Sequence, residues 1–190
     1  MSLRLPFSQA DSIKTARLVL RPFGQSDRTA LTVLQRSPGI ADFLLWDVPD
    51  DDEIDHRLEH KIAATQLHHD DDQLCLAIEW RDAPGLIGEA SLFLKDAQNA
   101  TLEIGYVIDP VHKGRGVAKE AAHALTAVAF DAINAHRVIG RIDARNEPSA
   151  AVLRSLGMRQ EAHFVQDQYV KGEWTDEKVF AILDSEWREG

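Results

Sequence analysis

The densest chemistry in the sequence lies between Asp109 and Ala118, which reads Asp-Pro-Val-His-Lys-Gly-Arg-Gly-Val-Ala. This stretch leaves a strand and enters a helix directly. Gly114 and Gly116 let a backbone approach a ligand closely, and the unpaired N–H groups of the following helical turn, Val117 and Ala118 among them, present the positive end of the helix dipole. Lys113 and Arg115 add charge. The chemistry that results is anion binding: the pyrophosphate of a nucleotide, a dinucleotide or coenzyme A. A glycine-rich connection without a ligand is the plain alternative. A Walker loop needs Gly-x-x-x-x-Gly-Lys-Ser/Thr, which the chain lacks, and a dinucleotide fingerprint needs a third glycine where Lys119 stands.

Other residues invite weaker readings. His56-Arg-Leu-Glu-His60 spells an inverted zinc-peptidase motif, but it sits in a highly charged helical stretch without a strong third ligand nearby, so no metal site is expected. His68-His69 followed by three aspartates reads as a solvated helix end. Cys75, the sole cysteine, is flanked by Leu74 and Leu76 and reads as a buried strand residue rather than a nucleophile. Trp46, between the first two helices, is placed either to line a substrate site or simply to pack.

The elements that must position these residues follow from periodicity and breakers. Leu18 to Phe23 reads as a strand, followed by a helix entry at Gly24 to Asp27 and an apolar-periodic run through Ala30, Leu31, Val33 and Leu34. A second helix is predicted over Asp51 to His68, with acids at its start. Leu74–Trp80, Leu86–Leu94 and Thr101–Ile108 read as an antiparallel meander of strands. The helix after Gly116 carries Val117, Ala121, Leu125, Val128 and Ala132 on one stripe. His136–Ile142 is the next strand. Asn146 is an N-cap before Glu147 and Pro148, and Gly157 stops that helix. Strands over Gln160–Val170 and Trp174–Leu183 flank a Lys171-Gly172 turn.

Composition excludes several function classes. The 190 residues, 44% hydrophobic and 27% charged, suit one compact domain covering residues 1–190. A formal net charge of −10 opposes non-specific nucleic-acid binding and suits a cationic amine. The acid runs Asp47–Asp55 and Asp70–Asp72 supply much of that excess and read as solvated faces. No apolar h-region or membrane span is legible, so the expected location is the cytoplasm, with no membrane partner.

In order along the chain, these features resemble the GNAT acetyltransferase superfamily, in its RimJ/RimL branch. Thr15-Ala-Arg-Leu-Val-Leu-Arg-Pro-Phe23 is similar to the branch's opening strand, and Leu86-Ile-Gly-Glu89 to its third. Leu102-Glu-Ile-Gly-Tyr-Val-Ile-Asp-Pro110 is similar to the fourth strand and its exit. Lys113-Gly-Arg-Gly-Val-Ala118 resembles the Gln/Arg-x-x-Gly-x-Gly/Ala acyl-CoA loop, with Lys113 at the first position. Asn146-Glu-Pro-Ser149 through Leu156-Gly-Met158 resembles the Asn-x-x-Ser helix.

The resemblance implies an α/β fold, a mostly antiparallel mixed sheet splayed between the fourth and fifth strands, with the pantetheine of acetyl-CoA in the split. Backbone amides from Gly114 to Ala118 would hold the pyrophosphate, and Asn146 and Ser149 would touch the coenzyme from the other side. The thioester carbonyl would be polarised by a backbone N–H near Val107. Glu103 shares a strand face with Thr101 and Gly105, opposite Leu102, Ile104 and Tyr106, and is the expected base, with a structural salt bridge as its alternative role. Many relatives carry a tyrosine acid where this chain has Leu153, which leaves Ser149 or water to protonate the thiolate. Tyr106 faces the wrong way by simple alternation, unless a bulge turns it.

The resemblance thus implies an enzyme acetylating a primary amine, a peptide or protein N-terminus, in a ternary complex with no metal. The contrasting class is an acyl-CoA-binding sensor or interaction module with little turnover. The fold is commonly dimeric, and exposed strand edges are compatible with a homodimer.

Overall fold

The computed structural model describes residues 2–189. In chain order the elements are β1 (Phe7–Ser8), β2 (Ile13–Lys14), β3 (Leu18–Pro22), α1 (Arg28–Gln35), α2 (Asp51–Ala63), β4 (Gln66–Leu67), β5 (Gln73–Trp80), β6 (Gly88–Asp96) and β7 (Thr101–Ile108). They continue with α3 (Val117–Ala127), β8 (Arg137–Asp143), α4 (Glu147–Ser155), β9 (Arg159–Val170), β10 (Glu173–Leu183) and α5 (Asp184–Glu189). Eight strands form one sheet in the order β2-β3-β5-β6-β7-β8-β10-β9, and β1 pairs with β4 in a separate ribbon. Among the described residues only β7 and β8 pair in parallel; the remaining ladders are antiparallel.

The strand pattern explains how the sheet is covered on both faces. On β5, Leu74, Leu76 and Ile78 join the main core under α3, while Cys75 and Ala77 join a smaller core with Leu31 of α1 and Leu58 of α2. A strand buried on both sides needs no polar alternation, which is why this run reads as continuously apolar. Burial also pushes the Cys75 thiol up, an effect countered by the Lys61 charge and by Ser91 Oγ at 3.7 Å. Cys75 is therefore a packed core residue, as its flanks suggest.

Three boundaries differ from the sequence reading. α2 ends at Ala63 rather than His68, because Leu67 is drawn wholly into the core and its short strand pairs with Phe7–Ser8. His68 and His69 lie in a turn, with both backbone amides donating to Asp72 Oδ2 at 2.6 and 2.8 Å. α3 widens into a π-helical turn over Val128–Ala132. The extra residue in that turn moves the inward positions from 128 and 132 to Ala129, Phe130 and Ile133. The strand expected from Leu86 begins at Gly88.

Candidate active site

The parallel pairing of β7 with β8 is confined to Thr101–Arg137, Leu102–Val138 and Glu103–Ile139. Beyond Glu103 the two strands part, so the edge of β7 from Ile104 to Ile108 faces an opening instead of a neighbour. Ala100 O accepts from Arg137 N, Asp109 N donates to Ile87 O, and the register between β6 and β7 runs unbroken from Leu102 to Ile108. Strand alternation therefore puts the amides of Tyr106 and Ile108 at the open edge, one residue to either side of Val107. Val107 itself lines the cavity and packs with Leu34, Ile40 and Trp46.

Gly88 lies opposite Ile108, at the far end of this open edge. A Cβ there would stand 2.6 Å from Val107 O and 3.3 Å from Ile108 Cα. Only a residue without a side chain lets β6 pass this close to the Val107 carbonyl and Ile108 at the end of β7.

The opening holds a cavity of about 300 Å3 lined on one side by Ile104, Tyr106, Gly140, Asn146, Ser149 and Leu153. Asn146 is the N-cap of α4, its Oδ1 accepting the Ser149 N–H at 3.1 Å. That bond turns the Ser149 hydroxyl inward to the Tyr106 hydroxyl, 2.8 Å away. Burial pushes the Tyr106 phenol up to about 12, against the lowering effect of the Ser149 hydrogen bond, so it stays protonated at neutral pH. Leu153, where relatives of the resembled branch often place tyrosine, is fully buried at the cavity wall.

Tyr106 is the functional candidate the sequence reading misplaced. It keeps the alternation phase of Leu102 and Ile104, as expected, and no bulge in β7 turns it. That face is core only while β8 covers it; past Glu103 the same phase points into the split. The signal available in sequence was the predicted splay itself.

Glu103 is not brought to this cavity. It lines an adjoining one of about 230 Å3, which shares Phe43, Leu44, Arg141 and Ile142 with the first. Its carboxylate is 3.6 Å from Arg141 Nε, and Arg141 Nη1 also donates to Glu177 at 2.7 Å. Burial raises the Glu103 pKa, opposed by the Arg141 and Lys95 charges. The carboxyl thus has both the ion pair of a structural role and the raised affinity for protons that suits a base.

The glycine loop lies at the C-terminal end of β7, where the split is open, outside the two cavities. Gly114 and Gly116 have φ of +75° and +79°, a region costly for any side chain, and Gly116 is the N-cap of α3. No side chain caps this helix end. Lys113 and Arg115 are exposed, and Val117 is buried beneath them.

The opening Thr15-Ala-Arg17 segment braces the loop. Arg17 Nη1 donates to the Arg115 carbonyl at 2.9 Å, and Arg17 Nε to Glu120 Oε2 at 2.7 Å. Glu120 Oε1 accepts the Thr15 hydroxyl at 2.6 Å and the Arg17 amide at 2.8 Å. Arg17 also stands over the Trp80 ring.

The remaining motifs are dispersed. His56 and His60 are exposed on α2, and among the described residues no three His, Cys, Asp or Glu side chains gather as a metal site. Among the same residues no helix is long and apolar enough to cross a membrane. Trp46 lines the first cavity, with the Arg57 guanidinium 4.6 Å above its ring.

A sheet splayed after one short parallel pairing, with a glycine turn entering a helix at the mouth of the split, defines the class of acyl-CoA N-acyltransferase folds. The chain belongs to the Acetyltransferase (GNAT) domain family, which matches residues 17–159. It is 39% identical over 107 residues to YnaD, an uncharacterized N-acetyltransferase of Bacillus subtilis (strain 168), a match covering 56% of this chain and 62% of that relative. Its fold superposes on the GNAT-family acetyltransferase from Bacillus anthracis with a TM-score of 0.82 and 26% identity, covering 92% of this chain and 99% of that one. It also shares the fold, at 21% identity and a TM-score of 0.77, of spermidine N-acetyltransferase from Vibrio cholerae in complex with CoA and spermine, over 92% and 99% of the two chains.

Proposed function

We propose that this protein is an acetyl-CoA-dependent N-acetyltransferase of the RimJ/RimL type, which moves the acetyl group to the N-terminal amine of a peptide or protein by direct attack in a ternary complex. The observation that carries the reading is the opened β7 edge, with the Tyr106–Ser149 pair on one side and the glycine loop at its mouth.

Backbone amides from Gly114 to Ala118 hold the pyrophosphate, with Lys113 and Arg115 adding charge, and Arg17 keeps the loop in shape. Asn146 and Ser149 flank the pantetheine arm. The amides of Tyr106 and Ile108, beside Val107, polarise the thioester carbonyl. Glu103, in the adjoining cavity, accepts through a chain of waters the proton that the acceptor's ammonium loses. The neutral amine then forms the C–N bond as the C–S bond breaks. Tyr106 donates its phenolic proton to the departing thiolate, and Ser149 keeps that hydroxyl aligned. A phenol in the split thus supplies the acid that Leu153 does not, which weighs against the sensor reading.

One sheet running from Ile13 to Leu183 supports taking residues 1–190 as a single acyltransferase domain. The exposed edge strand β9, carrying Phe164, Val165 and Tyr169, is the surface available to a homodimer. The test is thiol release from acetyl-CoA on addition of a peptide with a free N-terminus, with its N-acetylated form as control. Release only with the free amine is expected; no release with any amine would overturn the transferase reading.

A further inference from the structure

The wall of the first cavity opposite Tyr106 carries an ion pair that the proposed chemistry leaves unused. Lys61 of α2 and Glu89 of β6 approach to 3.0 Å, with side chains 12% and 11% exposed. The contact is at ion-pair distance but off the hydrogen-bonding direction, and the buried Glu89 Oε2 has no hydrogen-bond partner. Buried carboxylates are ordinarily hydrogen-bonded, and a buried ion pair contributes little stability once desolvation is counted. The pair faces a cavity also lined by Gln73 and Ser91, with Phe43, Trp46 and Phe93 as aromatic walls. Across the sheet Glu89 pairs with Val107, so it stands beside the stretch of β7 where the thioester carbonyl would sit. Glu103 is four residues along the strand from Val107, roughly 13 Å away.

We propose that Lys61 and Glu89 form the subsite that reads the acceptor, an α-amino-acyl head. Glu89 receives the ammonium, and Lys61 donates to the carbonyl oxygen of the same N-terminal residue. Those two groups are neighbours across a single Cα, as Lys61 and Glu89 are neighbours across the cavity wall. The aromatic walls take the first side chain. An amine without that oxygen gives the Lys61 ammonium no acceptor on the ligand, and the further ammonium groups of a polyamine meet it as like charges. This assignment rests on the acetyl-transfer reading and sharpens its acceptor class.

The test is calorimetry on the coenzyme-A-saturated protein with two ligands: the dipeptide amide Ala-Phe-NH2, and its isostere in which a trans-alkene replaces the peptide bond and removes the first carbonyl. The wild type is expected to bind the dipeptide at least about tenfold more tightly than the isostere. A Lys61→Gln/Glu89→Gln double variant, which leaves no lone buried charge, is expected to lose that preference while keeping its affinity for coenzyme A. Lys61→Gln alone gives the same readout if the double variant does not fold. Equal binding of the two ligands by the wild type, binding of neither, or a preference that survives in the variants would overturn the proposal. Selective binding without thiol release in the parallel acetyl-CoA assay would remove the transferase reading and leave the subsite standing.

Discussion

The two walls of the split are built from different materials. The proposed coenzyme wall, from β7 through the glycine loop to α3 and α4, is made largely of backbone: glycines at positive φ, uncapped amides at a helix start and an N-cap asparagine, all within Thr101–Ser155. The proposed acceptor wall is made of side chains from separated segments: Trp46 before α2, Lys61 on α2 and Glu89 on β6. Backbone chemistry constrains residue type position by position, whereas a side-chain wall exists only after folding brings its members together. The first wall should therefore fail under small backbone changes, and the second should tolerate them while changing what it selects.

The largest effect is expected at the junction of the two walls. Tyr106→Phe removes the acid while leaving the coenzyme contacts, and should lower kcat by about 10^2-fold or more with little change in acetyl-CoA affinity. An unchanged kcat would return the acid role to water. Glu103→Gln should lower kcat/KM by about 10^2-fold and flatten its acidic limb. The sign follows from burial: the raised Glu103 pKa keeps the carboxyl protonated at low pH, so the wild-type rate rises with pH as the base ionises. A variant that retains the limb would assign the pH dependence elsewhere.

Gly88→Ala tests the close approach of β6 to the end of β7. The new Cβ meets backbone atoms at 2.6 and 3.3 Å, and denaturant unfolding should show a loss of about 1–3 kcal/mol. Smaller still, Arg17→Ala removes the brace on the Arg115 carbonyl and should weaken acetyl-CoA binding about tenfold with kcat nearly unchanged. If kcat falls instead, Arg17 does more than hold the loop.

The same contrast explains what was legible in the sequence. The central strands β5 and β7, α3, α4 and the glycine loop were readable because proline, glycine and an Asn N-cap punctuate them, and the steric reasons for those residues are local. The early end of α2 was not, since the pull on Leu67 comes from a core assembled far along the chain and from a two-residue partner strand at Phe7–Ser8. The shifted stripe beyond α3 was hidden by a π turn that leaves no mark on composition. In the site, Asn146 and Ser149, read as coenzyme contacts, both line the first cavity. Tyr106 was assigned the right face, yet the meaning of that face changes where β8 leaves. Lys61 and Glu89 gave no signal, because their pairing depends on a helix and a strand separated in sequence.

The central claim is that the Gly114–Ala118 loop seats acetyl-CoA, and the most direct measurement is a calorimetric titration of the wild type beside Gly116→Trp. A Cβ there would stand 3.1 Å from Arg17 Nη2, and the substitution forces a φ of +79° on a bulky residue in the middle of the loop. Saturable binding by the wild type, lost in a variant whose circular dichroism is unchanged, is the predicted result; a wild type that binds no acetyl-CoA, or a folded variant that binds it equally well, would contradict the account.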